Sequence, residues 1–193
     1  PELSGLEYQT SVLIAGHLKG IGWRVTESVG KTGVIAEMGP SDNGFIGLRV
    51  DMDALPIDEN TQLSYSSKVD GIMHACGHDI HICIGLGVAT LLKDLKFKYG
   101  IRIIFQPAEE IASGAKWMIR DGVTKDLRQI IGVHVFPDLL VGEIGIKESS
   151  LTAAAGELSV EIIGQSGHGA RPHEGVDAIW VASKVISGIQ ELI

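Results

Sequence analysis

The chain contains the stretch Phe45-Ile46-Gly47-Leu48-Arg49-Val50, which is followed directly by Asp51-Met52-Asp53. A short apolar run that stops at acidic residues is typical of a buried strand. Because side chains alternate along a strand, Asp51 and Asp53 are expected to face the same side where this strand ends. Either aspartate can then bind a metal ion or orient one of its ligands, and a turn-capping role is an equally good interpretation.

Further periodic segments lie on both sides of this strand. Apolar residues at helical spacing predict helices over residues 3–18, 80–95 and 113–121. Short apolar runs predict other strands over residues 24–28, 32–37, 101–105 and 129–135. Apolar strands that alternate with helices indicate an α/β fold with a largely parallel sheet.

Acidic and imidazole side chains occur where three of the predicted core strands end. The pairs Asp51/Asp53 and Glu109/Glu110 follow two of these strands, and His134 closes the third. A lone histidine in an apolar run is more often a core residue, but in α/β sheets ligands bind outside the carboxyl ends of the strands. We therefore expect all of these residues to belong to one site.

The densest group of metal-ligand side chains is His74-Ala75-Cys76-Gly77-His78-Asp79-Ile80-His81. Thiolate and imidazole are the ligands that zinc-like ions prefer, whereas the alternative is a polar turn that caps a helix. Residues i and i+2 of a helix diverge by ~200°, so Cys76 and His78 can face one ion only in a turn, which Gly77 allows. A position before a helix also favours the Cys76 thiolate. For His74 and His81, a supporting or capping role is expected rather than ligation.

The adjacent carboxylates Glu109 and Glu110 must point in different directions. That arrangement allows one carboxylate to bind a metal ion while the other takes a proton from a metal-activated water. The alternative is an acidic helix N-terminus. In Gly167-His168-Gly169, the glycines let His168 project from a tight turn, where an imidazole can stabilise an oxyanion. A polar loop without such a role is the alternative.

A change of character near Ser149 indicates a second domain. Residues 157–163 predict an amphipathic strand and residues 177–193 predict a helix. One strand and one helix cannot bury a core, so we expect the sequence to be a fragment of a longer protein. The predicted division is a catalytic, metal-binding domain at 1–152 and the start of a smaller domain at 153–193.

Composition limits the partners and the compartment. The 193 residues carry a net charge of −8, which argues against nucleic acid or an anionic membrane surface as the main partner. No apolar run is long enough to span a bilayer. The two cysteines are Cys76 and Cys83, too few for a disulfide framework, so a reduced, cytoplasmic setting is expected. Cys83 is predicted to be a core residue.

Four longer motifs resemble a known family. They are Arg49-Val50-Asp51-Met52-Asp53-Ala54-Leu55-Pro56-Ile57, Met73-His74-Ala75-Cys76-Gly77-His78-Asp79, Phe105-Gln106-Pro107-Ala108-Glu109-Glu110 and Gly167-His168-Gly169-Ala170-Arg171-Pro172-His173. In this order they resemble the aminoacylase/carboxypeptidase family of two-metal amidohydrolases. The most similar branch contains hippurate hydrolases, auxin-conjugate hydrolases and N-acetyldiaminopimelate deacetylases. The resemblance extends over residues 1–193, and Pro1-Glu2-Leu3-Ser4 is similar to the family's early His-Pro-Glu-Leu segment.

The resemblance implies a zinc-peptidase-like, three-layer α/β/α catalytic domain with an inserted ferredoxin-like lid. The implied cofactors are two divalent metal ions, with zinc favoured by the thiolate and manganese as the alternative where carboxylates bridge. The implied metal ligands are Cys76, His78, Glu110 and His134, with Cys76 able to bridge. Glu109 is implied as the general base. His168 is implied as the lid residue that stabilises the tetrahedral intermediate, in relatives often across a homodimer interface. Asp51 and Asp53 would support the ligands from behind.

The activity implied is hydrolysis of the amide bond of a small N-acyl amino acid. There are two alternatives. One is a dipeptidase or carboxypeptidase of the same family, and the other is an inactive, truncated metal-binding domain. Two features depart from the family pattern. Val50 stands where alanine is usual in the family. Family members are also about twice as long as this sequence, which corresponds to a further domain at ~100–200 residues per domain. The other half supplies a further histidine ligand, so residues 1–193 alone are not expected to be fully active.

Overall fold

A computed structural model of the chain describes residues 1–152 and 158–192. Helices and strands alternate through most of it, in the order α1 (Tyr8–Gly20), β1 (Arg24–Val29), β2 (Gly33–Met38), β3 (Phe45–Asp51), α2 (His78–Leu92), β4 (Gly100–Gln106), α3 (Gly114–Arg120), β5 (Leu127–Gly132) and α4 (Ala178–Gln190). A short 3-10 helix covers Pro172–Glu174. Every helix and strand predicted before residue 136 is confirmed, with ends that move by a few residues. The largest shift is in α1, because Leu3 forms a bridge to Ala54 and leaves the helix to start at Tyr8.

The described strands form one five-stranded sheet in the order β1-β2-β4-β3-β5. Strand β3 is parallel to both β4 and β5, whereas β2 is antiparallel to β1 and to β4. The sheet is therefore mixed, and the prediction of a largely parallel sheet is wrong. The physical reason is the tight connection between β1 and β2, because only antiparallel strands can be joined by a hairpin.

Helices cover both faces of the sheet. On one face, α1 and α2 bury a cluster that includes Leu18, Ile82 and Phe105. On the other face, α3 contributes Met118 to a second cluster with Ile104. Consecutive strand residues point to opposite faces, so Ile104 and Phe105 belong to different clusters. Each such buried side chain stabilises the fold by about 1.5–3 kcal/mol. The predicted α/β/α layering is confirmed.

Two expectations about burial are wrong. Strand β5 is not a core strand, since Ile130 and Ile131 are 55% and 57% exposed. In the described part of the chain β5 pairs with β3 along one edge, and this leaves most of its side chains accessible. It also ends at Gly132, so His134 lies in the loop after the strand. Cys83, predicted in the core, is exposed on α2.

The chain separates into two compact units, Pro1–Val141 and Gly142–Ile193. The predicted boundary at residue 153 lies outside the described residues, and the division at that point stays a prediction. Residue 157 of the predicted strand is also outside them, and residues 158–163 form no strand. In the second unit, α4 confirms the predicted helix, and Asp177 caps it by accepting from the N–H groups of Ile179 and Trp180. None of the helices in the described ranges is long and apolar enough to cross a membrane.

Candidate metal centre

The first unit brings the predicted ligands together at one edge of the sheet. Asp51 ends β3 and Asp53 lies two residues beyond it, His78 begins α2, and the Glu109/Glu110 pair follows β4. Among the residues that the structure describes, three groups of side chains have ligand atoms within 4.8 Å of one another, namely Cys76/His78/His134, Asp51/His78/His81 and His78/Glu109/Glu110. His78 belongs to all three groups. It therefore lies at the centre of the candidate site.

The orientation of His78 leaves one nitrogen free. The side chain is fully buried, and Nδ1 donates to the backbone carbonyl of Asp53 at 2.9 Å. A carbonyl can only accept, so the proton lies on Nδ1 and Nε2 carries a lone pair. This Nε2 has no hydrogen-bond partner among the described residues. It lies 3.6 Å from a carboxylate oxygen of Asp51, 3.9 Å from Glu109 and 3.8 Å from Glu110. A metal cation at this position would satisfy the lone pair and the surrounding carboxylate oxygens together.

The pKa values reflect this concentration of negative charge. Burial opposes a charged His78, but Asp53, Asp51 and Glu110 outweigh it and raise the pKa of its imidazole. Burial raises the pKa of Glu110, and the Glu109 carboxylate raises it further. The carboxylates therefore favour positive charge at this position, either as a proton on His78 or as a metal cation.

The thiol of Cys76 lies among carboxylates that affect its pKa. Burial, together with the carboxylates of Glu110, Glu109 and Asp51, raises the pKa of Cys76 to about 11. These neighbours oppose the thiolate that the position before a helix favours. A metal ion would reverse the balance, because a coordinating thiol is deprotonated.

A glycine turn sets Cys76 and His78 side by side, as predicted. Gly77 is the N-cap of α2 and has φ +80°, a left-handed conformation. A Cβ at this position would lie 2.6 Å from Cγ2 of Val135, in the loop that carries His134. In that loop, Nδ1 of His134 bonds to the carbonyl of Val135, and its Nε2 lies 3.5 Å from Cys76 Sγ. The lone pair on Nε2 therefore faces the thiol.

The two adjacent glutamates differ in exposure. The side chain of Glu110 is 19% exposed, while that of Glu109 is 40% exposed. The N–H of Glu110 donates to Asp53 at 3.0 Å, which holds this residue against the His78 side of the site. The geometry is compatible with Glu110 on a metal ion and Glu109 facing solvent or substrate.

Comparison with known proteins shows the family of the chain. Residues 47–190 match the peptidase family M20/M25/M40. The chain belongs to this family. The resemblance to two-metal amidohydrolases is thereby confirmed.

Relatives of this M20-family chain are hydrolases of about twice its length. A probable hydrolase from Synechocystis sp. is 50% identical over 197 residues, which cover 100% of the chain and 50% of the relative. An N-acetyl-L-cysteine deacetylase from Bacillus subtilis is 45% identical over 196 residues, with 100% and 47% covered. A hippurate hydrolase from Campylobacter jejuni is 41% identical over 197 residues, with 100% and 51% covered. The chain spans about half the length of the curated relatives it matches.

A solved structure supports the same fold. The crystal structure of a dinuclear metal-binding M20 peptidase from Bacillus subtilis has a TM-score of 0.74 and 47% sequence identity. The match covers 77% of this M20-family chain and 42% of that one.

His81 of this M20-family chain lies beside the candidate metal centre. Its ring is fully buried, with Nδ1 2.5 Å from Asp51 and Nε2 accepting from the N–H of Val135 at 2.8 Å. Both nitrogens are thus engaged, and the supporting role of His81 stays a prediction. His74 is different, because its Nδ1 is buried without a hydrogen-bond partner among the described residues, and burial lowers the pKa of its imidazole.

Several supporting residues had no individual signal in the sequence. Arg49 pairs with Asp51 at 2.6 Å, and Ser4 donates to Asp53 at 2.6 Å. Burial opposes ionisation of Asp53, but hydrogen bonds from His78, Ser4 and the backbone of Glu110 lower its pKa to about 2. Arg49 lies two residues before Asp51 on the same strand face, so this pair was the one contact that strand periodicity could have indicated.

His168 lies in the second unit of this M20-family chain. The N–H of Ala170 donates to His168 Nδ1 at 3.2 Å, and the side chain is exposed. Arg171 closes the turn by donating its N–H to the carbonyl of His168 at 2.7 Å. The tight turn is as predicted, and the catalytic role of His168 stays a prediction.

Proposed function

We propose that this chain forms the catalytic part of an amidohydrolase that uses two divalent metal ions to hydrolyse N-acyl amino acids. The observation that carries the proposal is Nε2 of His78, which has no hydrogen-bond partner in the described part of the chain and faces three carboxylates beside Cys76. The relatives that are named for deacetylation of N-acetyl-L-cysteine and hydrolysis of hippurate support the substrate class.

The proposed ligands of the ions are Cys76, His78, Glu110 and His134. The donors fit, because Nε2 of His78 and an oxygen of Glu110 are both buried without a hydrogen-bond partner in the described residues. Thiolate and imidazole favour zinc, whereas the carboxylates are also compatible with manganese. When bound, such ions polarise a carbonyl group and lower the pKa of water. The dinuclear metal-binding relative supports a pair of ions.

The proposed chemistry of the protein groups is acid–base catalysis. Glu109, the more exposed carboxylate, accepts a proton from the water that attacks the amide carbon. It then delivers this proton to the amide nitrogen as the C–N bond breaks, which releases a carboxylic acid and an amino acid. His168 is proposed to donate a hydrogen bond to the carbonyl oxygen as negative charge develops there. Asp51 and Asp53 hold the imidazoles in place from behind.

A dipeptidase or carboxypeptidase is the second candidate, because the similar solved structure is named a peptidase. Turnover of free dipeptides and of N-acetyl or N-benzoyl amino acids by the intact protein separates the two. Preference for N-acyl amino acids supports the first proposal, and preference for dipeptides supports the second.

The base assignment is tested by Glu109→Gln in the intact protein. Gln keeps the size of the side chain but cannot accept the proton, so turnover is expected to fall by about 10²–10⁴-fold. Metal content is expected to stay at the wild-type level, since Glu110 is the proposed ligand. Near-normal turnover would remove Glu109 from the mechanism.

We also propose a homodimer through the second unit and a reduced, cytoplasmic compartment. Support for the compartment comes from Cys76 and Cys83, which are both free thiols. Sedimentation of the intact protein measures the dimer directly.

A further inference from the structure

Glu7 is a buried carboxylate that the proposed reaction does not use. Its side chain is 0% exposed, and it lies immediately before α1. Burial of a carboxylate is unfavourable unless its oxygens accept hydrogen bonds. The side chain of Glu7 does not cap α1, so helix formation does not explain why this carboxylate is buried.

The hydrogen bonds of Glu7 connect three separate parts of the first unit. One oxygen accepts from the backbone N–H groups of Gly5 and Ala108, both at 2.8 Å. The other accepts from the hydroxyl of Thr32, which is itself 2% exposed. Glu7 therefore joins the start of the chain and the β1–β2 connection to the residue that precedes Glu109.

Ala108 is held in an unusual backbone conformation. Its φ is +49°, a left-handed value that is sterically unfavourable for a residue with a Cβ. Its N–H is bound by Glu7, and its carbonyl accepts from the N–H groups of Ser113 and Gly114. A Cβ on Gly114 would lie 1.6 Å from the carbonyl oxygen of Pro107, so the chain turns back closely on itself here. Both polar groups of Ala108 are thus fixed.

A second contact from the same segment reaches the same loop. Ser4 donates to the carboxylate oxygen of Asp53 that also accepts the N–H of Glu110. The start of the chain therefore supports the glutamate pair at two points. One support acts on the residue before Glu109, and the other acts through Asp53 on the backbone of Glu110.

We propose that Glu7 is a positioning residue that aims Glu109 and Glu110 at Nε2 of His78 by holding Ala108 in its left-handed conformation. The inference rests on the proposed function, because the direction of these carboxylates affects catalysis only if they serve the metal-dependent reaction. Glu7 does not touch the candidate metal site. Its effect passes through the backbone of Ala108.

Two substitutions separate hydrogen bonding from bulk and charge. Gln at position 7 can accept both N–H groups with its carbonyl and donate its amide N–H to the hydroxyl oxygen of Thr32, so Glu7→Gln retains the connections. Met has a similar length but accepts only weakly, so Glu7→Met loses them. Glu2→Met is the matched control. Glu2 lies in the same segment, and its carboxylate accepts from Gln9 and Thr10 without reaching the glutamate loop.

The measurements are made on the intact protein: affinity for zinc or manganese by competition with a chromogenic chelator, kcat and KM for N-acetyl amino acids, and melting temperature. Glu7→Met is expected to lower metal affinity and kcat by about ten- to a hundredfold with little change in KM. Glu7→Gln is expected to stay close to wild type. Glu2→Met is expected to lower the melting temperature only.

A purely structural Glu7 would give a different pattern. Glu7→Met would then lower the melting temperature and leave metal affinity and kcat of the folded protein unchanged, which overturns the inference. If Glu7→Met does not fold, Thr32→Val removes one donor at constant shape. It is expected to lower metal affinity and kcat in the same direction, and unchanged values overturn the inference. A wild-type protein that binds neither metal overturns the proposed function itself, and the positioning role with it.

Discussion

The imidazole of His81 accepts a hydrogen bond from the backbone N–H of Val135 at 2.8 Å while its other nitrogen bonds to Asp51 at 2.5 Å. One buried side chain therefore connects the end of β3 to the loop that carries His134. A neutral imidazole has one donor and one acceptor, and both are used here. His81 thus fixes a proposed ligand without facing the metal site.

This relationship predicts the effect of His81→Asn. The amide nitrogen of Asn can replace Nδ1 as the donor to Asp51, but nothing replaces the acceptor for Val135. The loop of His134 should loosen, and affinity for zinc should fall by about ten- to a hundredfold. Competition with a chromogenic chelator measures this change. The exposed His17 of α1 provides the control, because His17→Asn should leave the affinity unchanged. Equal affinities for all three proteins would remove His81 from the support of the site.

The two cysteines provide a test of whether the Cys76 thiolate binds metal, with Cys83 as the control. Cys76→Ser replaces the proposed bridging sulfur with a poorer zinc ligand, so zinc content and turnover should both fall. Cys83→Ser alters an exposed thiol on α2 and should change neither. Metal analysis by mass spectrometry after dialysis gives the comparison. Full zinc occupancy in the Cys76→Ser protein would exclude a thiolate ligand.

Removal of the metal should destabilise the fold. Without a cation, the carboxylates around His78 repel one another in a buried site. A ligand that binds only the folded state stabilises it by about 2.7 kcal/mol at a concentration 100 times its Kd. The melting temperature should therefore fall with a chelator and rise again as zinc or manganese is added back. A melting temperature that changes neither with the chelator nor with added metal would contradict a metal site in the first unit.

Asp53 gives a pH dependence in the metal-free protein. Despite burial, its hydrogen bonds lower its pKa from the ordinary 3.8 to about 2, so the folded state prefers the charged form. The lowered pKa corresponds to roughly 2 kcal/mol of stability. This contribution is complete above pH 3.8 and is lost as the pH falls toward 2. The stability advantage over Asp53→Asn should shrink across that range in denaturant titrations. Asp58→Asn, at an exposed aspartate, should show little difference at either pH.

The positions of the candidate site residues were predictable because each follows an apolar strand or opens a helix. Asp51, Glu110 and His134 occur where three such runs end, and parallel neighbours must bring those ends together. The alternation of strands and helices indicated the α/β/α layers for the same reason. These features depend on local periodicity, which a sequence displays directly.

Other features depend on pairings between distant segments. The exposed edge position of β5 follows from sheet order, and its apolar run resembles that of a core strand. The proposed role of Glu7 depends on its hydrogen bond with Ala108, which is 101 residues away. The raised pKa of Cys76 requires knowledge of which carboxylates surround it. Periodicity carries no information about any of these contacts.

The most direct test of the metal centre is anomalous diffraction from crystals of the intact protein grown with zinc or manganese. Two anomalous peaks are predicted in the first unit, one of them within bonding distance of His78 Nε2 and at least one within bonding distance of Cys76 Sγ, at about 2.0–2.3 Å for zinc. Data collected on either side of the absorption edge identify the element. Strong peaks elsewhere in the protein, with none at His78 Nε2, would contradict the proposed metal-dependent hydrolase.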